Sequence, residues 1–496
     1  MNNETQRLYG RFAKEVLILG AATVLTSFGG IFFLPLVTKT LGAHDYGIWA
    51  QVQITAGLTS GVLCLGLPYA LTRFLPAKTD RAEIRDDFYS VVCLVSIITV
   101  PFSLAVILSA GVIASTFFDG ATRVVVIAGF LMMLQPAQYA YLYVLRAWRH
   151  MWTYSVLTVV QAYGTVGLVA YLALNGHGLS TMLIGSLAVQ AAVLVILFSL
   201  VWRQIGLGRP SFRNMRQYLR FSLPTVPGNI SWWVMSVSDR YVIAYLLGAT
   251  LVGVYSAAYG LANILALIIG ILGMVLTPAL SKLYDEGNVN ELATHLSYSL
   301  KYLLLLGIPF VFGAAVLAKP LLTLFSTPEI ASQSCQVVPL LAASILLFGA
   351  SVVIGTVLAL VKKTAISGLI MVLAAAVNLG LNLILVPRVG ITGSAVGILV
   401  ANAFALGVGS YYSFKEFSFP IDWYFIIKSL IASSTMVLVI WLMSPQGSLE
   451  TIVAVLVGVC VYGAALLLLR GVKKEEISFF RGLLWSSAST PKGNQK

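Results

Sequence analysis

Between Glu15 and Arg470, apolar runs of about 20 residues follow one another with only short polar breaks. A helix needs about that length to cross a hydrocarbon core of roughly 30 Å. In lipid the backbone must satisfy its own polar groups, so only helices or a closed barrel can span. The ten-residue alternation of an outer-membrane barrel is absent. Composition agrees, with 59% hydrophobic and 10% charged residues and a mean hydropathy of +0.92. The chain is therefore predicted to be an all-α integral membrane protein.

The runs predict fourteen transmembrane helices, over 15–37, 47–70, 88–115, 124–145, 153–174, 181–201, 221–247, 252–278, 297–318, 335–361, 365–386, 393–414, 423–443 and 451–470. Residues 1–14 are polar, but the run that follows is too long for a signal peptide and has no small-residue cleavage site, so it is expected to remain as the first span. Pro224, Pro227 and Gly228 predict a bent or loosened start to the seventh.

With that map, 25 of the 31 Lys and Arg residues fall on the side of the N-terminus, five on the opposite side, and Lys428 at a span edge. The positive-inside rule then places both termini in the cytoplasm, and the expected location is the cytoplasmic (inner or plasma) membrane. The same spread over alternate short loops explains the net charge of +13 and argues against nucleic acid as a partner.

The chain is doubled. Leu41-Gly42-Ala43, with Gly47 and Trp49, returns as Leu247-Gly248-Ala249 with Gly253 and Tyr255, an offset of 206. Ala70-Leu71-Thr72-Arg73 returns as Ala279-Leu280-Ser281-Lys282, and Gly178-Leu179-Ser180 as Gly390-Ile391-Thr392, at offsets of 209 and 212. An offset near 209 maps span 1 on span 7, an even number of crossings apart, so the halves keep one orientation and are expected to be related by a pseudo-twofold along the membrane normal. The expected organisation is an N-lobe over 1–201, a cytoplasmic linker with five arginines over 202–220, a C-lobe over 221–416, and a terminal helix pair with its tail over 417–496.

Catalytic and metal chemistry find little to use. The four cysteines lie in or beside apolar runs without ligand spacing, and the four histidines fall singly in loops. A membrane glycan polymerase or ligase would show acids gathered in a sizeable outer loop; Asp45, Asp119, Glu329 and Glu450 stand alone.

The loop Leu41 to Trp49, the stretch Leu223-Pro224 through Asp239-Arg240 to Leu247-Gly248, the loop Thr323-Leu324-Phe325-Ser326 and the turn Leu385-Val386-Pro387-Arg388 to Ala395 together resemble the polysaccharide or oligosaccharide flippases. These are the fourteen-helix branch of the superfamily that also holds lipid II flippases and the twelve-helix multidrug exporters. The resemblance covers essentially the whole chain. It implies movement of a polyprenyl-pyrophosphate-linked glycan from the cytoplasmic to the outer leaflet by alternating access. Lipid II transport and ion-coupled drug export remain the alternatives within the superfamily. No cofactor is expected; a proton or sodium gradient is the open question of coupling. Membrane lipids and other polysaccharide-assembly membrane proteins are the further partners it leaves open.

An anionic head needs a hydrated, cationic cavity, so an intramembrane arginine is the residue to seek. Arg240 sits about seven residues before the end of its span, roughly 10 Å inside. It is the first candidate for the phosphate, unless the span ends early and Arg240 marks the interface. Asp239, about 100° away around the helix, is expected to hold a neighbour or take a proton. Lys39 is a weaker cation. Gln51, Asn229, Asn378 and Asn382 are candidates to line a sugar path, with interhelical hydrogen bonding as the plainer alternative. Trp233, with Trp232, Tyr241, Tyr245, Tyr255 and Tyr259, offers rings to stack on sugars or to sit at the interface. The arginines at cytoplasmic span ends, Arg73, Arg146, Arg149 and Arg220, are expected to follow from the positive-inside bias or to gather the head group at the inner mouth.

Overall fold

The computed structural model describes residues 3–471. The tail beyond them, with the cations counted there, lies outside the described residues. The helices are α1 (Asn3–Leu58), α2 (Leu67–Phe74), α3 (Arg81–Leu108), α4 (Ala110–Phe117), α5 (Thr122–Ala147), α6 (Met151–Leu174), α7 (Leu179–Ile205), α8 (Met215–Ser222), α9 (Val226–Leu247), α10 (Ala249–Ala262), α11 (Ile264–Asp285), α12 (Val289–Phe325), α13 (Pro328–Ser334), α14 (Val337–Leu360), α15 (Thr364–Val389), α16 (Ile391–Glu416), α17 (Trp423–Met443) and α18 (Ser448–Leu468). Among the described residues there is no strand. Among the described residues, eleven helices are long and apolar enough to cross a membrane, or twelve if α10 and the start of α11, bent by 47°, form one span.

Several expected spans prove to be broken helices. Helix α1 runs through the loop predicted at 38–46, interrupted only at Gly42, whose φ of 78° leaves the helical region. The second span is the part of α1 after Gly42, then a π-helical turn at Thr59–Leu63 and, beyond Gly66 with φ 68°, α2. A side chain at Gly66 would strike Thr225 and Ser222. The third span breaks at Ser109 and the eighth at Asn263. The seventh begins with a 3-10 turn at Leu223–Thr225, as its prolines predict. The outer loop expected between Lys319 and Ser334 is mostly helix, since α12 continues to Phe325 and α13 follows.

Hydrogen bonds and ion pairs between connecting segments join segments that the arginine count places on one side. Arg149 meets Glu15 and Lys363 meets Glu416 at one end of the bundle. His44 meets Asp119, and Lys39 meets the Leu324 carbonyl, at the other.

The arginine-rich linker is tied down. Its helix α8 shares a core with α2, α3 and α5, where Met215 and Tyr218 are buried. Asp87 of α3, 3% exposed, accepts from the Tyr218 hydroxyl at 2.8 Å, from Asn214 Nδ2 at 3.0 Å and from Lys78 Nζ. Burial, with Asp87 beside it, pushes the Tyr218 phenol well above its usual range, so it remains a donor. Burial pulls Lys78 down, but hydrogen bonds to Asp87 and Glu83 outweigh it and the ammonium is raised overall. Removing one member of a buried charge network costs about 3–5 kcal/mol. Asp87→Ala is therefore expected to lower the melting temperature of the purified protein and to open the linker to trypsin at Arg209 and Arg213. Unchanged melting and cleavage would show that α8 is held by its apolar face alone.

Candidate functional site

The repeated LGA motif is also repeated in conformation. Gly42 has φ 78° and ψ −178°; Gly248 has φ 86° and ψ 170°. Each opens a helix segment, and the two segments pack on each other. A Cβ on Gly47 would strike the Ala249 carbonyl oxygen and the Gly253 nitrogen; one on Gly253 would strike the Ala43 carbonyl oxygen and the Gly47 nitrogen. The contact is reciprocal, as a local two-fold produces, and it depends on both glycines letting the backbones touch. Asp119, after α4, accepts from the Ala249 N–H at 3.1 Å, capping α10, and lies 3.3 Å from His44 Nε2.

The charged pair lies below this seam. Helix α9 continues past Arg240 to Leu247, so Arg240 is within the helix and not at its end. Asp239 is fully buried and Arg240 is 6% exposed. Both meet α10, at Tyr255 and Tyr259, which stand one turn apart. The Asp239 Oδ2 accepts from the Tyr255 hydroxyl at 2.5 Å, and Oδ1 from the Arg240 backbone N–H at 2.9 Å. The guanidinium lies over the Tyr259 ring at 4.2 Å and donates from Nη1 to the Ser236 carbonyl at 2.8 Å. The two side chains are less divergent than their 100° separation suggests, because Nη1 curls back to 3.9 Å from Oδ1. That is a loose pair, and the Arg240 Nε is buried without a hydrogen-bond partner.

Asn378 and Asn382 do share one face of α15, but both are fully buried and bonded to protein. Asn378 Nδ2 donates to Ser238 Oγ at 3.4 Å, Asn382 Nδ2 to Asn378 Oδ1 at 3.0 Å, and Ser394 Oγ to Asn382 Oδ1 at 2.6 Å. These bonds join α9, α15 and α16 beside Asp239, so the interhelical role fits both asparagines. Gln51 and Trp233 differ. Gln51 is 1% exposed with neither amide atom hydrogen-bonded, and the Trp233 indole N–H is buried and unpaired. Between them runs the Thr55–Tyr241 hydroxyl bond of 2.7 Å that joins α1 to α9, and Trp233 packs on Tyr241 at 5.7 Å. Unpaired buried donors and acceptors at a seam are positioned to take hydroxyl groups or water. Asn229 is half-buried near the start of α9, and Lys39 is exposed but bound at 3.0 Å to the Leu324 carbonyl.

Sequence reasoning passed over Ser238, Ser394 and the capping role of Asp119. A serine beside a buried Asp-Arg pair was the available signal for the first. No local pattern signals the other two, since their partners are more than ten residues away.

Two cavities border the site. One of about 270 Å³ lies between α1 and α10–α11, lined by Ser27, Gly30, Leu34, Gly260, Asn263 and Phe325. The other, about 150 Å³, lies inside the second half, with Trp232, Ser236, Tyr259, Ser344 and Asn402 on its wall.

The family described as polysaccharide biosynthesis protein matches residues 12–284, and the MatE family matches residues 224–384. A Haloferax volcanii protein, the probable low-salt glycan biosynthesis flippase Agl15, is 24% identical over 454 residues, which cover 90% of this chain and 94% of that one. Among solved structures, the lipid II flippase MurJ in an inward closed conformation is similar with a TM-score of 0.71 and 18% identity, covering 94% of this chain and all of the other. An inward-facing multidrug resistance MATE family transporter of the MOP superfamily gives 0.63 and 17%, over 79% of this chain and 94% of that one.

Proposed function

The chain belongs to the polysaccharide biosynthesis protein family, and from that premise we propose that it flips a polyprenyl-pyrophosphate-linked oligosaccharide from the cytoplasmic to the outer leaflet. Its fold is that of the MurJ and MATE transporters. Fourteen crossings follow if α1 is divided at Gly42, α9 is counted despite its charges, and α10 with α11 makes one bent span. Two lobes then meet along the Gly47–Gly253 seam and rock about it, with both termini in the cytoplasm.

The observation that carries the reading is Arg240. A cation in the hydrocarbon region normally holds a close anion. Here the nearest carboxylate is 3.9 Å away, both of its oxygens already accept from other donors, and the arginine keeps an unpaired Nε. Such an arginine suits a diphosphate, which its planar fork can grip through two oxygens. Gln51 and Trp233 supply unpaired groups for sugar hydroxyls, and the gap between α1 and α10–α11 suits an isoprenoid tail that stays in lipid. Asp239, hydrogen-bonded to Tyr255, is the acid available for proton coupling.

Depleting the protein in its native host, followed by leaflet-resolved labelling of lipid-linked glycans, tests this. The precursor is expected to build up on the cytoplasmic side and disappear from the outer leaflet. An unchanged distribution would sink the flippase reading and favour export of another solute.

A further inference from the structure

At the arginine-rich end of the first half lies a cluster that the reading above leaves unused. Tyr139, Tyr143 and Arg146 stand at i, i+4 and i+7 on one face of α5. The Tyr139 and Tyr143 rings stack at 6.2 Å and 23°. Tyr69 of α2 meets Tyr143 edge-on at 5.2 Å. The Arg146 guanidinium lies 4.4 Å from the Tyr154 ring of α6 and 5.2 Å from that of Tyr143.

Two features separate this cluster from ordinary packing. First, Arg146 makes no hydrogen bond or ion pair among the described residues, and its Nε is buried. Rings cover the faces of the guanidinium, but its N–H donors point outward from its edge and need oxygen acceptors. Second, Tyr69 and Tyr139 are 52% and 40% exposed. Helix α5 packs on α1, α2, α3, α4, α6 and α7. On a helix with so many neighbours, this exposure leaves two rings of the cluster open to a ligand. Positive-inside bias accounts for an arginine at this end, but not for four tyrosines arranged around it.

We propose that Tyr69, Tyr139, Tyr143, Tyr154 and Arg146 form a saccharide-binding platform, which receives the sugar nearest the lipid carrier before the head group reaches Arg240. Pyranose rings present flat C–H faces that stack on tyrosine, and the phenol and guanidinium donors reach the ring hydroxyls. Stacking of this kind grips the sugar without reading its identity. The inference rests on the flippase reading, and on the orientation expected from the arginine count the platform lies at the cytoplasmic mouth.

Binding to the full chain in nanodiscs, followed by native mass spectrometry, tests it with two probes: the lipid-linked glycan extracted from the native host, and the same extract hydrolysed at the sugar–phosphate bond. The double variant Tyr139→Ala with Tyr143→Ala is expected to bind the sugar-bearing lipid about tenfold more weakly. Binding of the sugar-free lipid should be unchanged, which also reports that the variant is folded. Tyr139→Phe with Tyr143→Phe keeps the rings and should stay close to wild type. Equal loss for both lipids, or no loss for either, overturns the platform while leaving Arg240 and the flippase reading intact. Wild-type protein that binds neither lipid removes the flippase reading, and the platform with it.

Discussion

Alanine at Gly47 or at Gly253 is expected to destabilise the protein by about 2 kcal/mol or more, within the range for overpacking at a close contact. The added methyl would meet the backbone of the facing helix, not a side chain that can rotate away. At Gly47 the obstacle is the Ala249 carbonyl at the start of α10; at Gly253 it is the Ala43 carbonyl just after the break in α1. Relief requires the two helices to separate, and that would also disturb the Asp119 cap on Ala249 and the Thr55–Tyr241 bond nearby. Gly57 and Gly111 have nothing within 4 Å of the added atom, so alanine there should be neutral or slightly stabilising. Thermal unfolding of purified protein in detergent distinguishes the pairs. Equal melting for all four variants would show that the seam is loose enough to absorb a methyl group. If the Gly253 variant melts low and the Gly47 variant does not, the contact is not the reciprocal one described.

The seam also shows why part of this molecule was legible in the sequence. Spans are legible because burial in lipid demands runs of apolar residues, and each run announces itself locally. The LGA echo was legible because a helix break with positive φ favours glycine, so one conformation leaves one mark in both halves. What the echo could not tell was that its copies touch. Contact between Gly47 and Gly253 joins residues 206 apart, and no spacing rule encodes it. The polar residues divide along the same line. Asn378 and Asn382 were predictable as sharing a face, from their i, i+4 spacing. Whether that face met a cavity or the serines of α9 and α16 depended on neighbours far along the chain. The helix breaks at Ser109 and Asn263 lack a glycine or proline at the break itself, which left the third and eighth spans looking continuous.

Arg240 carries the second large effect. If the site grips a diphosphate as proposed, Arg240→Ala, at equal membrane level, is expected to reduce glycan export roughly 10–100-fold, the worth of one charge-assisted hydrogen bond. Arg240→Lys should retain part of the export, since it keeps the charge but loses the planar fork. The structural alternative makes a different prediction. If Arg240 served only to neutralise Asp239, removing it would leave a buried carboxylate, lowering stability by about 3–5 kcal/mol, and lysine would restore both stability and export. The pair argues against this, because 3.9 Å is long for an ion pair and Asp239 is already held by the Tyr255 hydroxyl and a backbone N–H. An alanine variant that melts close to wild type but fails to export therefore places Arg240 on the substrate path. One that exports fully removes it. Low melting, with export and stability both recovered in the lysine variant, assigns the arginine to the fold and leaves the phosphate without its cation.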